Sequence, residues 1–300
     1  MIIVTSGNRY IDIDAYAGCI AYAYLLNLKG IKAKAVSTAK INESITTNLL
    51  NLETKLDKYK ESDNNQFVII DVSNKDYFDD IVNEKQIIEV IDHHLGYEEY
   101  WKNRLGEKTK IEFIGAVATI IVELYEKENV LNKMSKDIAE LLMSAILDNT
   151  LNFKAKVTNK RDIIAYEKLE KIVNCKGNYA EKYFLECQKE IEKDFVKAIE
   201  NDTKIEKIND ILPTVFGQLV VWDKKYILDN EKVLYNTLSN IGEDWMFNLI
   251  CLKDEKSYII SNDLEIQKKL EKLLNATFKG DIMELQEVWL RKEIIARALK

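Results

Sequence analysis

Short apolar runs that end in polar or acidic residues alternate with helical patterns along the first third of the chain. Met1–Thr5 leads into Ser6 and Gly7, while later runs read IKAKAVST, QFVIIDVS and QIIEVIDHH. Strands that are apolar on both faces and separated by helices are typical of a parallel sheet with helices packed on each side. The pattern therefore predicts an α/β fold in which the carboxyl ends of the strands meet at one edge.

Helical periodicity and a second set of strands predict two domains, as expected for 300 residues. We predict helices from about residue 14, over residues 42–60, as a polar segment before QIIEVIDHH, and in GAVATIIVELYEKENV, MSKDIAELLMSAILDNTLNF and KRDIIAYEKLEKIV. New strands follow in TVFGQLVVWD, WMFNLICLKD and KSYIISND, with a helix in NDLEIQKKLEKLLNA. The predicted division is a first domain at 1–188, a linker helix at 189–203 and a smaller C-terminal α/β domain at 204–300.

Charge and cysteine content narrow the classes of function. The formal net charge is -7 and the four cysteines form no CxxC pair, so neither duplex nucleic acid as a partner nor a zinc ribbon is expected. A phosphate-rich small molecule would need local metal ions or a local basic patch in order to bind. The sequence shows no secretory leader and no apolar stretch of bilayer-spanning length. We therefore expect a cytoplasmic protein without membrane attachment, and a homodimer is compatible with the sequence.

Candidate metal ligands stand at the ends of the predicted strands. The chain has two histidines, and they are adjacent, following an acid in Asp92-His93-His94. Imidazole nitrogens and carboxylate oxygens together suit Mn, Fe, Co or Zn. The other candidates are Asp12, Asp14, Asp71 and Asp148. Ordinary alternatives stay open: Asp14 as a helix N-cap, Asp71 as the start of a turn, and the histidines as a surface pair.

The order of these residues resembles the DHH phosphoesterase superfamily over nearly the full chain. The matching segments are GNRYIDIDA, VIIDVS, VIDHH, GAVATIIVELY, LLMSAILDNTLNFKAKVTNKRD and WLRKE. The chain is most similar to the branch with a DHHA2-type C-terminal domain, which contains the manganese-dependent family II inorganic pyrophosphatases and the exopolyphosphatases. The phosphodiesterase branch carries a GGGH element, whereas this sequence has no histidine after His94.

The resemblance implies a role for each matching residue. It implies two divalent cations, Mn²⁺ first and Mg²⁺ or Co²⁺ as alternatives, with Asp12 on one, Asp14 on the other and Asp71 bridging both. His93 and Asp148 would complete the second metal's ligands, and His94 would touch the substrate or orient those ligands. The basic residues expected to bind substrate phosphates are Lys204, Arg291 and Lys292, with Lys207 as an alternative to Lys204. The site would lie between the two domains.

Two positions depart from the family pattern. Asn8 stands where the pyrophosphatases have a histidine, and it is at most a weak metal ligand because it offers only an amide oxygen. Glu293 stands where a further lysine is usual. The resemblance thus implies hydrolysis of phosphoanhydride bonds, slightly favouring the end of a polyphosphate over pyrophosphate. An orthodox pyrophosphatase, a phosphodiesterase acting on short nucleotides, and a binding or regulatory protein with little turnover are the alternatives.

Overall fold

The apolar runs at the start of the chain form adjacent strands of one parallel sheet. The computed structural model describes residues 1–175 and 177–299, and it divides the chain into two units. The first unit comprises residues 1–153 and 157–180. Its strands are β1 (Ile2–Thr5), β2 (Tyr10–Ile11), β3 (Ala33–Ala35), β4 (Lys40–Ile41), β5 (Gln66–Ile70), β6 (Ile87–Asp92) and β7 (Thr109–Ile111). Five of them form a sheet of order β3-β1-β5-β6-β7 in which every pair is parallel, whereas β2 and β4 pair separately.

Helices cover this sheet and begin at side chains that cap them. Asp12, Ser135 and Asn159 accept hydrogen bonds from backbone amides of the first turns of three helices, as N-cap residues do. The helices of the first unit are α1 (Ile13–Leu28), α2 (Thr47–Leu50), α3 (Glu98–Leu105), α4 (Val117–Lys127), α5 (Lys136–Thr150) and α6 (Lys160–Val173). The predicted fold class is confirmed, with helices packed on a parallel sheet in this unit.

Two helix predictions are wrong. Of residues 42–60 only α2 is α-helical, and the stretch before β6 contains two 3-10 helices, Lys75–Tyr77 and Glu84–Gln86. Apolar residues do recur at helical spacing in the first stretch, at Ile45, Leu49, Leu52 and Leu56, but the helix ends at Leu50. The chain instead follows the sheet, where the backbone amide of Asp57 donates to the carbonyl of Ala35 over 2.7 Å.

Close packing fixes the first helix over the centre of the sheet. A Cβ atom added at Gly18 of α1 would lie 2.7 Å from Cγ2 of Ile70, the last residue of β5. Glycine therefore lets α1 approach the end of β5 more closely than any other residue would. As a result the N-terminus of α1, with Asp12 and Asp14, is held near the carboxyl ends of the strands.

The second unit is a smaller α/β domain with a mixed sheet. It comprises residues 154–156 and the chain from Glu181 onward. Its sheet has the order β12-β13-β11-β10-β9-β8, in which β9 and β10 are parallel and the other neighbours antiparallel. The elements are α7 (Tyr179–Lys193), α8 (Phe195–Asn201), β8 (Thr203–Ile205), β9 (Val215–Val221), α9 (Lys225–Asp229), α10 (Glu231–Ile241), β10 (Trp245–Cys251), β11 (Lys256–Ile260), α11 (Leu264–Leu274), β12 (Phe278–Lys279), β13 (Ile282–Leu285) and α12 (Arg291–Ala298).

The division between the units differs from the one predicted. It falls between Ala180 and Glu181, and residues 189–203 do not form a separate linker helix. Asp194 ends the helical run and caps α8, whose residues Phe195 and Ile199 are buried in the core of the second unit with Ile191. These apolar side chains need that core, which is why the segment belongs to the second unit.

Residues 154–156, which we call the strap, belong to the second unit, although the residues on either side of them belong to the first. Lys154 pairs with Glu255 at 2.8 Å and Lys156 with Glu287 at 2.6 Å. The Lys156 ammonium also lies 3.5 Å from the centre of the Trp289 ring, which favours a cation. Side chains of the second unit therefore bind both lysines of the strap. None of the described helices combines the length and hydropathy needed to cross a bilayer.

Candidate metal centre

The carboxyl ends of two neighbouring strands bring an aspartate and a histidine together. Asp71 directly follows β5 and His93 directly follows β6, and the two strands pair in parallel. Oδ1 of Asp71 lies 3.2 Å from Nε2 of His93, and Oδ2 of Asp14 lies 3.9 Å from the same nitrogen. The three side chains are almost fully buried, with exposed fractions of 6% for Asp71, 1% for His93 and 0% for Asp14. Two carboxylates and one imidazole thus face a common point.

The tautomer of His93 is set by its other ring nitrogen. Nδ1 lies 3.0 Å from the backbone carbonyl oxygen of Ile114. A carbonyl oxygen only accepts, so Nδ1 carries a proton and Nε2 is the ring nitrogen that faces Asp71 and Asp14. An imidazole lone pair facing two carboxylates is repulsive unless a proton or a metal ion lies between them. Protein metal sites orient ligating histidines by this kind of contact.

Asp14 caps a helix other than its own. Its Oδ2 accepts from the backbone amide of Val117 at 2.7 Å and its Oδ1 from that of Ala118 at 2.8 Å. The N-cap residue of α4 is Ala116, which has no side-chain acceptor, so Asp14 supplies the missing one. The positive end of α4 and two charge-assisted hydrogen bonds stabilise this buried charge. The ordinary interpretation of Asp14 as the cap of α1 is wrong, because Asp12 occupies that position and accepts from the amide of Ala15.

Asp71 adopts a backbone conformation that favours glycine. Its φ angle is 62°, in the left-handed region where aspartate and asparagine are tolerated better than other non-glycine residues. Such conformations are uncommon and cluster at functional sites, where surrounding contacts compensate for their cost. Here the backbone turn after β5 directs the Asp71 carboxylate toward His93.

Asp92, which the sequence analysis treated only as part of the Asp-His-His motif, positions both histidines. Its Oδ1 accepts from the backbone amides of His93 at 2.7 Å and His94 at 3.1 Å, and lies 2.9 Å from Nδ1 of His94. Burial would raise the pKa of Asp92, but the charge and hydrogen bond of His94, the charge of His93 and the Ser73 hydroxyl lower it to about 2. Asp92 Oδ2 is buried and has no hydrogen-bond partner among the described residues.

We expect Asp92→Asn to loosen the metal centre without unfolding the protein. Asparagine retains the shape of the side chain but loses the charge that holds the ring of His94 and the two backbone amides. Loss of such an orienting contact typically weakens metal binding roughly 10–100-fold. Manganese affinity measured by calorimetry should fall accordingly, whereas the melting temperature of the metal-free protein should change little. Unchanged affinity would contradict this role for Asp92.

His94 belongs to the same cluster but lies at its open side. Asp71, His93 and His94 each place one potential ligand atom within 4.8 Å of the others. The side chain of His94 is 54% exposed, in contrast to that of His93. With Nδ1 directed at Asp92, the Nε2 atom of His94 is the ring nitrogen available to a bound molecule.

The remaining predicted ligands lie on two helices of the first unit. Asp12 caps α1, and Asp148 lies in the last turn of α5. Burial raises the pKa of the Cys19 thiol in α1, and the charges of Asp71, Asp79 and Asp12 raise it further. Asn8 donates a hydrogen bond from Nδ2 to Asp80 at 3.3 Å. The nitrogen and oxygen donor set suits a transition metal such as Mn²⁺.

Asp79 is a buried acid that the sequence analysis did not single out. It accepts hydrogen bonds from the backbone amide and hydroxyl of Thr38, both at 2.7 Å, and from the Ser37 hydroxyl at 3.2 Å. Its own amide donates to the carbonyl of Ser6. Asp79 thereby joins the turns that follow β1 and β3. No local pattern in FDDIVNE distinguishes it from the adjacent Asp80, which is exposed.

The predicted phosphate-binding residues lie on β8 and α12 of the second unit. Lys204 is on β8, where its ammonium pairs with Glu206 at 2.7 Å. Arg291 and Lys292 are the first two residues of α12. The Arg291 guanidinium contacts the Asp202 carboxylate at 2.6 Å and the carbonyls of Asp202 and Phe216. Part of its hydrogen-bonding capacity therefore stabilises the second unit itself.

Glu293 fills its position with a structural role. Its Oε2 accepts from the backbone amide of Leu290 at 2.8 Å and its Oε1 from the amide of Lys156 in the strap at 2.9 Å. Glu293 thus satisfies an amide at the start of α12, directly beside Arg291 and Lys292. A lysine at this position would lack the acceptor that both amides need.

These features define a class of protein. Residues 2–146 match the model of the DHH family, N-terminal domain. This part of the chain is therefore a DHH-family domain, as the sequence resemblance predicted.

Particular relatives match over the whole chain. It is 25% identical to the manganese-dependent inorganic pyrophosphatase of Bacillus subtilis, covering 99% of this chain and 97% of that protein. It is 26% identical to a probable manganese-dependent inorganic pyrophosphatase of an Exiguobacterium species, over 98% and 96% of the two chains. The crystal structure of a Methanococcus jannaschii protein, named as a candidate family II inorganic pyrophosphatase, has the same fold, with a TM-score of 0.71, 21% identity and complete coverage of both chains. An exopolyphosphatase-related protein from Bacteroides fragilis is more distant in structure, with a TM-score of 0.53, 14% identity and coverage of 99% and 90%.

Proposed function

We propose that this chain hydrolyses the phosphoanhydride bond of inorganic pyrophosphate with the help of bound Mn²⁺. The observation that carries the proposal is the buried cluster in which Nε2 of His93 faces Oδ1 of Asp71 and Oδ2 of Asp14. Relatives that align along nearly all of their length are named manganese-dependent inorganic pyrophosphatases. The chain is a hydrolase acting on phosphorus-containing anhydrides.

Five side chains would hold the ions: Asp12, Asp14, Asp71, His93 and Asp148. Bound divalent ions lower the pKa of water and neutralise charge on phosphoryl oxygens, which is the chemistry they would supply here. The protein contributes the orientation of these ligands. Ile114 fixes the ring of His93, the N-terminus of α4 fixes Asp14, and the left-handed turn fixes Asp71. Ligands that are already oriented need no rearrangement when charge develops in the reaction.

His94 and three cations would contact the substrate. Asp92 holds Nδ1 of His94, so its Nε2 can donate a hydrogen bond to a phosphate oxygen when the ring is protonated. Lys204, Arg291 and Lys292 would bind the phosphate groups, since fixed positive charge at phosphoryl oxygens is the main contribution of proteins to this reaction. Lys207 is the alternative to Lys204.

A second candidate substrate is the end of a longer polyphosphate. Asn8 donates to Asp80 where an imidazole is usual in the pyrophosphatases, and Glu293 binds two backbone amides where a lysine is usual. Both differences remove a potential positive or metal-binding group from the substrate's surroundings. Pyrophosphate is compact and densely charged, so these differences would weaken its binding more than the binding of a longer polyphosphate.

Phosphate release from pyrophosphate, tripolyphosphate and longer polyphosphate tests these proposals, each with Mn²⁺ and with Mg²⁺. We expect turnover with Mn²⁺ on pyrophosphate, and chelation should abolish it and added Mn²⁺ restore it. Faster turnover on tripolyphosphate or longer chains would assign the polyphosphate preference instead. Activity that survives complete chelation would overturn the metal-dependent mechanism. Tight phosphate binding without turnover on any substrate would indicate the binding or regulatory alternative.

A further inference from the structure

One short backbone segment contacts both of the side chains that face Asp71 in the metal centre. The carbonyl of Ile114 accepts from Nδ1 of His93, and the amides of Val117 and Ala118 donate to the carboxylate of Asp14. The position of residues 114–118 therefore determines where His93 and Asp14 point. A shift of this segment would displace a nitrogen and an oxygen ligand together.

A buried carboxylate on another helix holds the same segment. Asp162, in the first turn of α6, has an exposed fraction of 0%. Its Oδ2 accepts from the amide of Gly115 at 3.2 Å, and its Oδ1 accepts from the hydroxyl of Thr119 at 2.7 Å. Its third donor is the amide of Asn159 at 2.9 Å, which is the ordinary capping contact of α6. Two of the three donors thus lie outside α6, on the chain that leads from Ile114 into α4.

The contact between Asp162 and the segment leaves no room for a side chain at residue 115. A Cβ atom added to Gly115 would lie 2.6 Å from Oδ2 of Asp162 and 2.7 Å from Cγ2 of Thr150. Either the segment or Asp162 would have to move. The glycine is therefore required by close approach, and it places the carbonyl of the preceding Ile114 against His93.

We propose that Asp162 is a positioning residue of the metal centre, which acts through Gly115 and Ile114 on the ring of His93. The inference rests on the proposed metal-dependent function. Asp162 fixes the amide of Gly115, the adjoining peptide presents the Ile114 carbonyl, and that carbonyl holds Nδ1 so that Nε2 faces the ion. A histidine ligand is usually oriented by one hydrogen-bond acceptor. Here that acceptor is the Ile114 carbonyl, and Asp162 holds the next peptide in place.

Manganese titrations of Asp162→Asn test this role, with Asn159→Ala as the matched control. Asparagine keeps the size of the side chain but places an NH₂ group against one of three donors. We expect the manganese dissociation constant, measured from the electron paramagnetic resonance of free Mn²⁺, to rise roughly tenfold. Asn159→Ala removes the other half of the same helix cap, the bond that Asn159 Oδ1 accepts from the amide of Arg161, but leaves the contact to Gly115. It should lower the melting temperature comparably and leave manganese affinity unchanged.

A second measurement follows the ring of His93 directly and does not depend on activity. The chain contains two histidines, so the spectrum of ¹⁵N-histidine-labelled, metal-free protein holds two imidazoles. We expect a slowly exchanging Nδ1 proton for the buried His93 in the parent protein and in Asn159→Ala. In Asp162→Asn, and in Gly115→Ala as an independent variant, exchange should be at least about tenfold faster because the Ile114 carbonyl is no longer fixed.

The outcomes separate the two levels of the proposal. If the parent protein binds no manganese, the proposed function fails, whereas the imidazole spectra still report whether Asp162 orients His93. If the parent binds manganese and Asp162→Asn retains both its affinity and its slow exchange, the positioning role is overturned. Equal losses of manganese affinity in Asp162→Asn and Asn159→Ala would also overturn it. The loss would then result from a less stable α6 and not from the contact to Gly115.

Discussion

Asp71→Asn and Asp71→Ala should abolish metal-dependent hydrolysis while the protein remains folded. Asp71 would hold the bound Mn²⁺ together with His93, so its loss removes a central ligand. We expect kcat to fall roughly a thousandfold or more, which corresponds to about 4 kcal/mol in the activation barrier. Phosphate release under saturating substrate and Mn²⁺ measures the effect. Turnover near that of the parent in either variant would contradict the assignment of Asp71 as a metal ligand.

The asparagine variant separates this chemical loss from a folding defect. Asparagine tolerates the left-handed conformation that Asp71 adopts at φ 62°, whereas alanine does so at a cost. Removing a buried charge that shares Nε2 of His93 with Asp14 also relieves repulsion in the metal-free state. The melting temperature of metal-free Asp71→Asn should therefore equal or exceed that of the parent. If the metal-free variant is more stable than the parent, then Asp71 serves function at a cost in the stability of the protein.

Arg291→Ala and Lys292→Gln should differ in kind, although the sequence presents the two residues as one basic pair. The Arg291 side chain is 16% exposed and binds Asp202 and two backbone carbonyls. Its removal leaves the Asp202 carboxylate without this partner, at a cost of about 3 kcal/mol in the free energy of unfolding. Lys292→Gln should change that free energy by less than about 0.5 kcal/mol. Denaturant titration of each variant measures this difference.

Kinetics complete the comparison of the two cations. We expect Lys292→Gln to raise KM at least about tenfold, because a positive charge that binds phosphate in the ground state is lost. Arg291→Lys retains the charge but not the planar guanidinium that reaches three acceptors, so stability should fall even there. If Arg291→Ala is as stable as the parent, the structural role of its guanidinium is wrong. If Lys292→Gln has unchanged KM, Lys292 does not bind substrate.

The strand-end positions of Asp71 and His93 were predictable because they depend on local composition. A continuous apolar run predicts a buried parallel strand, and the residue that ends it must lie at the edge of the sheet. Asp71 and His93 follow this rule and come together in the structure. The left-handed turn at Asp71 was not predictable, because aspartate is compatible with several backbone conformations and only the packed neighbours select one.

The roles of residues whose partners are distant in the chain could not be predicted from the sequence. Asp14 caps α4 across 103 positions, and Asp162 reaches Gly115 across 47. Both are ordinary acids in the first turns of helices, where aspartate is common for local reasons. The helix predicted over residues 42–60 is wrong for a related reason, since local periodicity does not reveal the distant contact from the Asp57 amide to the Ala35 carbonyl.

The path of the strap determines which fragments of this protein could contain a whole unit. The chain passes from one unit to the other at residues 153/154, 156/157 and 180/181, so three peptide bonds join the units. A gene fragment that ends at Ala180 would encode Lys154 and Lys156 but not Glu255, Glu287 or Glu293, which bind them. A single proteolytic cut at any one crossing would leave the others intact. The two units are thus compact in space but not contiguous in the sequence, so no single cut yields each unit as a separate chain.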